Sequence, residues 1–227
     1  LVLSDQAIRQ REAAAVSQSL EIVRRRIDET GVREPTIQRQ GSDRILVQLP
    51  GVDDPQRIKA LIGKTAKMTF HLVDEEANLS EALAGRPPAG SQVMPLLDRR
   101  AGPGQEPRIV VRKRVMLSGE SLIDSQPTFD QGQPIVTFRF DAAGGKRFGD
   151  ITSHNVGKRL AIVLDDQVIS APNIREPILG GSGVITGSFT VAEAQDLALL
   201  LRAGALPAPL TVVEERTVGP GLGADSI

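Results

Sequence analysis

Apolar positions repeat every three or four residues in several parts of the chain, which is the period of an amphipathic helix. The first such run extends from Val16 to Ile27 and is followed by Gly31, so we expect a helix that begins as early as Ser4 and ends at a glycine cap. Arg24, Arg25 and Arg26 occur together in this run. Charged runs on amphipathic helices usually face solvent, and we expect these three to do so.

Three more helices are indicated by capping residues. Asp54 precedes a helix that starts at Pro55, and Asp141 precedes one that continues to about Gly157. The internal Gly144-Gly145 pair destabilises the second of these by about 1 kcal/mol per glycine relative to alanine, which suggests close backbone packing there. Thr190 and Glu193 form a capping box before a helix that stops at Gly204.

Other segments are predicted to be strands. In 44–49, 66–74 and 134–140 apolar residues share one face, with the period of a half-buried strand. The segments 108–119, 184–189 and 210–215 are also predicted to be extended. Two β-rich runs in 159–172 are separated by Asp165-Asp166 and predict a hairpin. Residues 74–107 show no sustained period and are rich in proline and glycine, so we interpret them as a flexible excursion.

This order of elements predicts an α+β fold. The helix that starts after Thr190 and the strand 210–215 resemble the helices and strands before residue 74 more than those in the middle of the chain. We therefore expect a base domain assembled from both chain ends, residues 1–112 and 189–227, with an α+β head domain, 113–188, inserted in its middle.

Composition excludes several kinds of function. The net charge is −1, with 27 basic and 28 acidic residues among 227, so nucleic acid is not expected as a partner. Cysteine is absent, as are tryptophan and tyrosine, which removes thiolate chemistry and most aromatic stacking. No apolar run approaches the roughly 18 residues of a membrane span.

Candidate catalytic groups are few. His71 and His154 are the only histidines, and they are expected to be solvated or capping residues. No serine lies in a G-x-S-x-G motif, no acidic cluster has calcium-loop spacing, and the glycine-rich runs lack the context of a phosphate loop. We therefore expect neither enzymatic activity nor a metal or cofactor.

Several long motifs resemble the SecD family, the larger membrane subunits of the bacterial SecD/SecF protein-translocation complex. They include RVMLSGESLIDSQPTF, VISAPNIREPILGGSGVITGSFT and LLLRAGALPAPLTVVEERTVGPGLGADSI. The resemblance implies the first periplasmic loop of a multi-pass inner-membrane protein, with a ferredoxin-like base and an inserted head. It also implies SecF and SecYEG as partners through the full-length protein, and a cycle driven by the proton-motive force.

The same resemblance implies contact with unfolded preprotein. Ile174, Ile178 and Leu179 lie in a loop rich in proline and glycine, where apolar residues need not be core, and we predict that they line a polypeptide-binding surface. Gly119 and Gly187, near the two ends of the head, are predicted hinge residues. The final GPGLGADSI would connect to a membrane span, and the chain would be an excised piece of a longer protein.

Two other classes of function remain open. A porter-like periplasmic domain of an RND-type transporter would share the α+β architecture and bind small molecules. A periplasmic hydrolase would depend on His154.

Overall fold

The structure is a computed structural model that describes residues 4–98 and 106–216. Its helices and strands confirm the α+β class. In chain order they are α1 (Asp5–Thr30), β1 (Thr36–Gln40), β2 (Arg44–Gln48), α2 (Pro55–Gly63), β3 (Met68–Leu72), α3 (Leu79–Leu83), β4 (Ser91–Pro95), β5 (Arg108–Arg112), β6 (Leu117–Ser118), β7 (Leu122–Asp130), β8 (Gln133–Phe140), α4 (Ala142–His154), β9 (Leu160–Leu164), β10 (Gln167–Ser170), β11 (Ser182–Ile185) and α5 (Val191–Ala203). The predicted connector 219–227 lies outside the described residues.

Local signals in the sequence set the helix ends and the main hairpin. The side chain of Ser4 caps α1, and Thr190 and Glu193 form the predicted capping box of α5. Asp165 and Asp166 both have positive φ, at 47° and 63°, as a tight turn between β9 and β10 requires. These predictions are confirmed.

The described strands form four sheets. The largest has the order β10-β9-β3-β6, and a three-stranded sheet has the order β11-β8-β7. The β1–β2 and β4–β5 hairpins form the other two. Each pairing between named strands is antiparallel.

Strand β3 connects the two predicted domains. Its sequence lies in the predicted base, yet it pairs with β9 and β6, which lie in the predicted head. Met68 is opposite Leu164, and Leu72 is opposite Leu160. The predicted limits at 112 and 189 therefore do not coincide with a break in hydrogen bonding, and the division into base and head stays a prediction.

The main hydrophobic core lies beneath β3 and β8 and against α4 and α5. Four phenylalanines form its centre, with ring centroids 5.3 to 6.0 Å apart in tilted and edge-to-face pairs. They are Phe70, Phe138, Phe140 and Phe148. A smaller cluster beneath α1 contains Ile22, Val23, Ile27 and Leu206. This second cluster joins residues from both ends of the chain.

Two predicted segments differ from the structure. The excursion 74–107 contains α3, which the side chain of Asn78 caps, and β4, which pairs along its length with β5. The expectation of an irregular segment is therefore wrong for these two elements. The predicted strand 210–215 is also wrong, because none of the described strands pairs with it and an isolated strand has no partner for its backbone groups.

Two charged or polar side chains expected to face solvent are buried. His71 lies between Thr69 Oγ1, at 3.1 Å, and the carbonyl oxygen of Arg112, at 2.8 Å, because β5 covers that face of β3. Arg26 is 0% exposed, unlike its neighbours Arg24 and Arg25. Its guanidinium instead satisfies carbonyl groups at the ends of two other helices.

Candidate functional site

The loop that carries the three predicted contact residues, 171–181, packs along α4. Glycines on α4 let the two backbones approach closely. A β-carbon at Gly145 would lie 3.1 Å from the α-carbon of Gly181, and one at Gly149 would lie 3.3 Å from Leu179 Cδ2. The close packing expected at Gly144-Gly145 is therefore confirmed, since a β-carbon at Gly144 would lie 2.5 Å from that of Ser121.

Hydrogen bonds fix the backbone of this loop at several points. Thr152 Oγ1 accepts from the Ile178 N–H at 2.9 Å and donates to the Phe148 carbonyl at 2.9 Å. The Ile174 N–H donates to Lys158 O, and its carbonyl accepts from Gly157 N. Gly181 O accepts from Phe140 N at 2.8 Å. The backbone of the loop is thus held at these points along its length.

The three predicted contact residues have different surroundings. Ile174 is 4% exposed and belongs to the main core, so it does not contribute to an accessible surface. Ile178 is partly buried against the same core. Leu179 is 77% exposed, the largest exposed fraction among the large apolar side chains of the described residues. Of the three predicted contact residues, Ile174 is a core residue, Ile178 is intermediate, and only Leu179 is well exposed.

Sequence reasoning missed two residues that shape this site. Gly149 follows Gly145 by four residues, which places both on one face of α4 and was a usable signal of close packing. Thr152 gave no comparable signal, because a hydroxyl within a helix usually bonds to its own backbone. Its second bond, to Ile178 N, depends on tertiary structure.

The two predicted hinge glycines lie where neighbouring atoms are close. A β-carbon at Gly119 would lie 2.9 Å from Met68 Cβ, and one at Gly187 would lie 2.8 Å from Phe189 Cζ. Neither residue has a positive φ. Close packing therefore accounts for glycine at both positions, and the hinge stays a prediction.

An ion pair joins α5 to α1 beside strand β7. Arg202 Nε donates to both carboxylate oxygens of Glu29 at 3.1 Å, and Nη1 donates to Ser125 O at 2.5 Å. The hydrogen bond with Glu29 raises the pKa of Arg202 above its usual value. The pair ties α1 and α5 to the edge of β7.

Within 4–98 and 106–216, no three His, Asp or Glu side chains are grouped so that they could hold a metal ion. The helices in these ranges are also too short or too polar for any of them to cross a membrane.

Two family models match the chain. The model described as the P1 head subdomain of SecDF matches residues 91–208, and the N-terminal part of the SecDF P1 domain matches 16–75. The chain belongs to the SecD family. The first of these matches begins at β4, so the described α4, the loop 171–181 and β11 all lie within it.

Named relatives agree with this assignment. The chain is 54% identical over 213 residues to the protein translocase subunit SecD of Rickettsia conorii, covering 93% of this chain and 40% of that protein. It is 54% identical over 229 residues to SecD of Acetobacter pasteurianus, covering 42% of that protein. The chain therefore spans about two fifths of the length of these SecD relatives.

Solved SecDF structures share the fold. A crystal structure of SecDF in its Super-membrane-facing form matches with a TM-score of 0.71 and 38% identity, over 88% of this chain and 28% of that one. A second structure, of a SecDF membrane component that enhances protein export, matches with a TM-score of 0.70 and 36% identity. That match covers 91% of this chain and 94% of the solved chain, so a chain of this extent has been determined.

Proposed function

We propose that this chain is the part of a SecD subunit that contacts unfolded preprotein at the periplasmic face of the bacterial inner membrane. It helps to pull or retain the preprotein as it emerges from the SecYEG channel. SecF and SecYEG are partners of the full-length protein, and membrane segments outside this chain couple the cycle to the proton-motive force. The chain itself is an accessory without catalytic activity.

The observation that carries the proposal is the presentation of Leu179. The side chain is 77% exposed although the backbone on both sides of it is held, at Ile178 N by Thr152 and at Gly181 O by Phe140 N. A loop whose backbone is already held loses little backbone freedom when it binds a partner. Ile178 lies beside it and supports its position from the partly buried side.

Preprotein handling requires contacts that tolerate many sequences. Apolar contact is non-directional and depends mainly on the area removed from water, so one exposed leucine can meet many different side chains. The surrounding residues 177–192 contain no charged side chain before Glu193. This stretch adds no charge that would select or repel a passenger, and the two exposed charged residues earlier in the loop, Arg175 and Glu176, are of opposite sign. Binding at such a site is expected to be weak, which permits release.

Replacing Leu179 by aspartate should weaken binding of an unfolded secretory polypeptide by about tenfold or more, since burial of a leucine side chain contributes about 1.5 to 3 kcal/mol. The measurement is fluorescence anisotropy of a dye-labelled polypeptide titrated with the chain. Because the chain has no tryptophan or tyrosine, tryptophan emission from the polypeptide gives a second signal. The wild-type chain should bind the unfolded polypeptide and not its folded form.

The control is Leu83→Asp, which places the same charge at another exposed leucine, on α3. It should leave the affinity unchanged. Equal binding by wild type and Leu179→Asp would contradict the assignment of the contact to this loop. Tight, saturable binding of a small apolar ligand in place of polypeptide would favour the porter-like alternative.

A further inference from the structure

Strand β11 is the edge of its sheet and follows directly from the loop 171–181. It pairs with β8 on one side, with Ser182 opposite Arg139 and Ile185 opposite Val136. In the described parts of the chain, no strand pairs with its other side. An unpaired edge presents backbone N–H and C=O groups that can bind another strand.

The register identifies which groups face outward. Gly181 O accepts from Phe140 N, and hydrogen-bonded pairs alternate along an antiparallel ladder. Gly183 and Ile185 are therefore bonded to β8, while the N–H and C=O groups of Ser182 and Val184 point away from it. Both residues are exposed, Val184 to 43%.

Natural edge strands are commonly protected by charge, proline or a covering segment, and two other edges in this fold are protected in these ways. β7 contains Pro127, and Arg202 Nη1 donates a hydrogen bond to the carbonyl oxygen of Ser125 on that strand. On β10, the Val168 carbonyl accepts from Leu97 N at 2.8 Å. β11 has no charged residue and no proline.

We propose that β11 binds the preprotein by strand addition, with an extended, uncharged segment of the passenger pairing with the main chain of Ser182 and Val184. This inference rests on the function proposed above and specifies how the passenger is held. Main-chain hydrogen bonds are common to every sequence, so they supply affinity without demanding particular side chains. Leu179 lies three residues before β11 and adds an apolar contact at its start.

The packing of β11 holds the edge strand closely against the core. A β-carbon at Gly183 would lie 2.4 Å from Phe138 Cζ, so the Phe138 ring lies directly against the strand backbone. Ile185 is fully buried. The strand is thus fixed from the core side while its outer backbone groups remain accessible, which is the arrangement that strand addition needs.

Val184→Pro tests the inference, because proline removes the outward N–H and leaves the bonds of Gly183 and Ile185 to β8 in place. We expect it to weaken binding of the unfolded, dye-labelled polypeptide about threefold to tenfold, the loss of a main-chain hydrogen bond worth about 0.5 to 1.5 kcal/mol. Val184→Thr is the matched control. It keeps the N–H and the branched shape, and should bind within about twofold of wild type.

Amide hydrogen exchange on the wild-type chain tests the same point without a substitution. The amides of Ser182 and Val184 should exchange more slowly when polypeptide is bound, and those of Gly183 and Ile185 should change little. If polypeptide binds but these two amides are unaffected and Val184→Pro binds normally, strand addition is overturned and the proposed function stands. If wild type binds no polypeptide, both fail. Protection that rises with chain concentration alone would show pairing with a second copy and overturn the inference.

Discussion

Replacing Arg26 by methionine should lower the free energy of unfolding by about 3 kcal/mol or more, because each buried carbonyl left without a donor costs about 1 to 3 kcal/mol. The methionine side chain is about as long as the apolar part of the arginine side chain, but it donates no hydrogen bond. Urea unfolding followed by far-ultraviolet circular dichroism measures the change.

The geometry around Arg26 explains the size of this effect. Nη1 donates to the carbonyls of Leu61 at 2.7 Å, Ile62 at 3.2 Å and Lys64 at 2.5 Å, at the end of α2. Nη2 donates to Thr65 O at 3.3 Å and to Gly204 O, the residue after α5, at 3.0 Å. The last carbonyls of a helix have no partner within the helix and carry partial negative charge. One guanidinium on α1 therefore caps two other helices.

Arg26 retains its charge at neutral pH despite burial. Burial lowers its pKa to about 10, and the charge of Asp165 acts in the opposite direction. Arg25→Met is the control, since Arg25 is the exposed neighbour on the same helix. It should change the stability by less than about 0.5 kcal/mol. An equal decrease in the free energy of unfolding for Arg26→Met and Arg25→Met would show that the carbonyl contacts of Arg26 contribute nothing to stability.

Replacing Phe70 by alanine should lower the free energy of unfolding by about 3 to 5 kcal/mol, the range for removal of a buried phenylalanine ring that leaves a cavity. Phe70 is 1% exposed, and its ring lies 5.7 to 5.8 Å from those of Phe138, Phe140 and Phe148. It also lies on β3, so the loss affects the strand that pairs with both β6 and β9.

The matched control is Phe129→Ala. Phe129 is 61% exposed near the tip of the β7–β8 hairpin, and its removal should cost less than about 0.5 kcal/mol. Thermal unfolding of both variants, monitored at equal concentration, gives the comparison. A Phe70→Ala protein as stable as the Phe129→Ala protein would contradict the description of the core.

The sequence predicted those features that depend on neighbouring residues. The capping box at Thr190 and the turn at Asp165-Asp166 each depend on a few consecutive positions, and both are confirmed. Pairing between distant strands left no such signal. β3 and β9 are about ninety residues apart, and their pairing forms the centre of the main sheet. β5, about forty residues after β3, covers the face that carries His71. Periodicity reports one element at a time and does not identify its neighbours.

The candidate site was predictable only as a segment. The sequence indicated an apolar loop at 171–181 but could not distinguish Ile174, which is buried, from Leu179, which is exposed. Loops have no regular alternation, so burial within them depends on tertiary anchors such as Thr152. The buried Arg26 was missed for a related reason, since its carbonyl partners lie on α2 and beyond α5.

The most direct test of polypeptide contact places a photo-crosslinking amino acid at position 179 of the full-length SecD subunit in membranes that export a secretory protein arrested in transit. We expect a crosslink from position 179 to the arrested polypeptide and none from the same probe at position 83 on α3. The crosslink should disappear when the passenger completes export. No crosslink at 179, or equal crosslinking from both positions, would contradict the account.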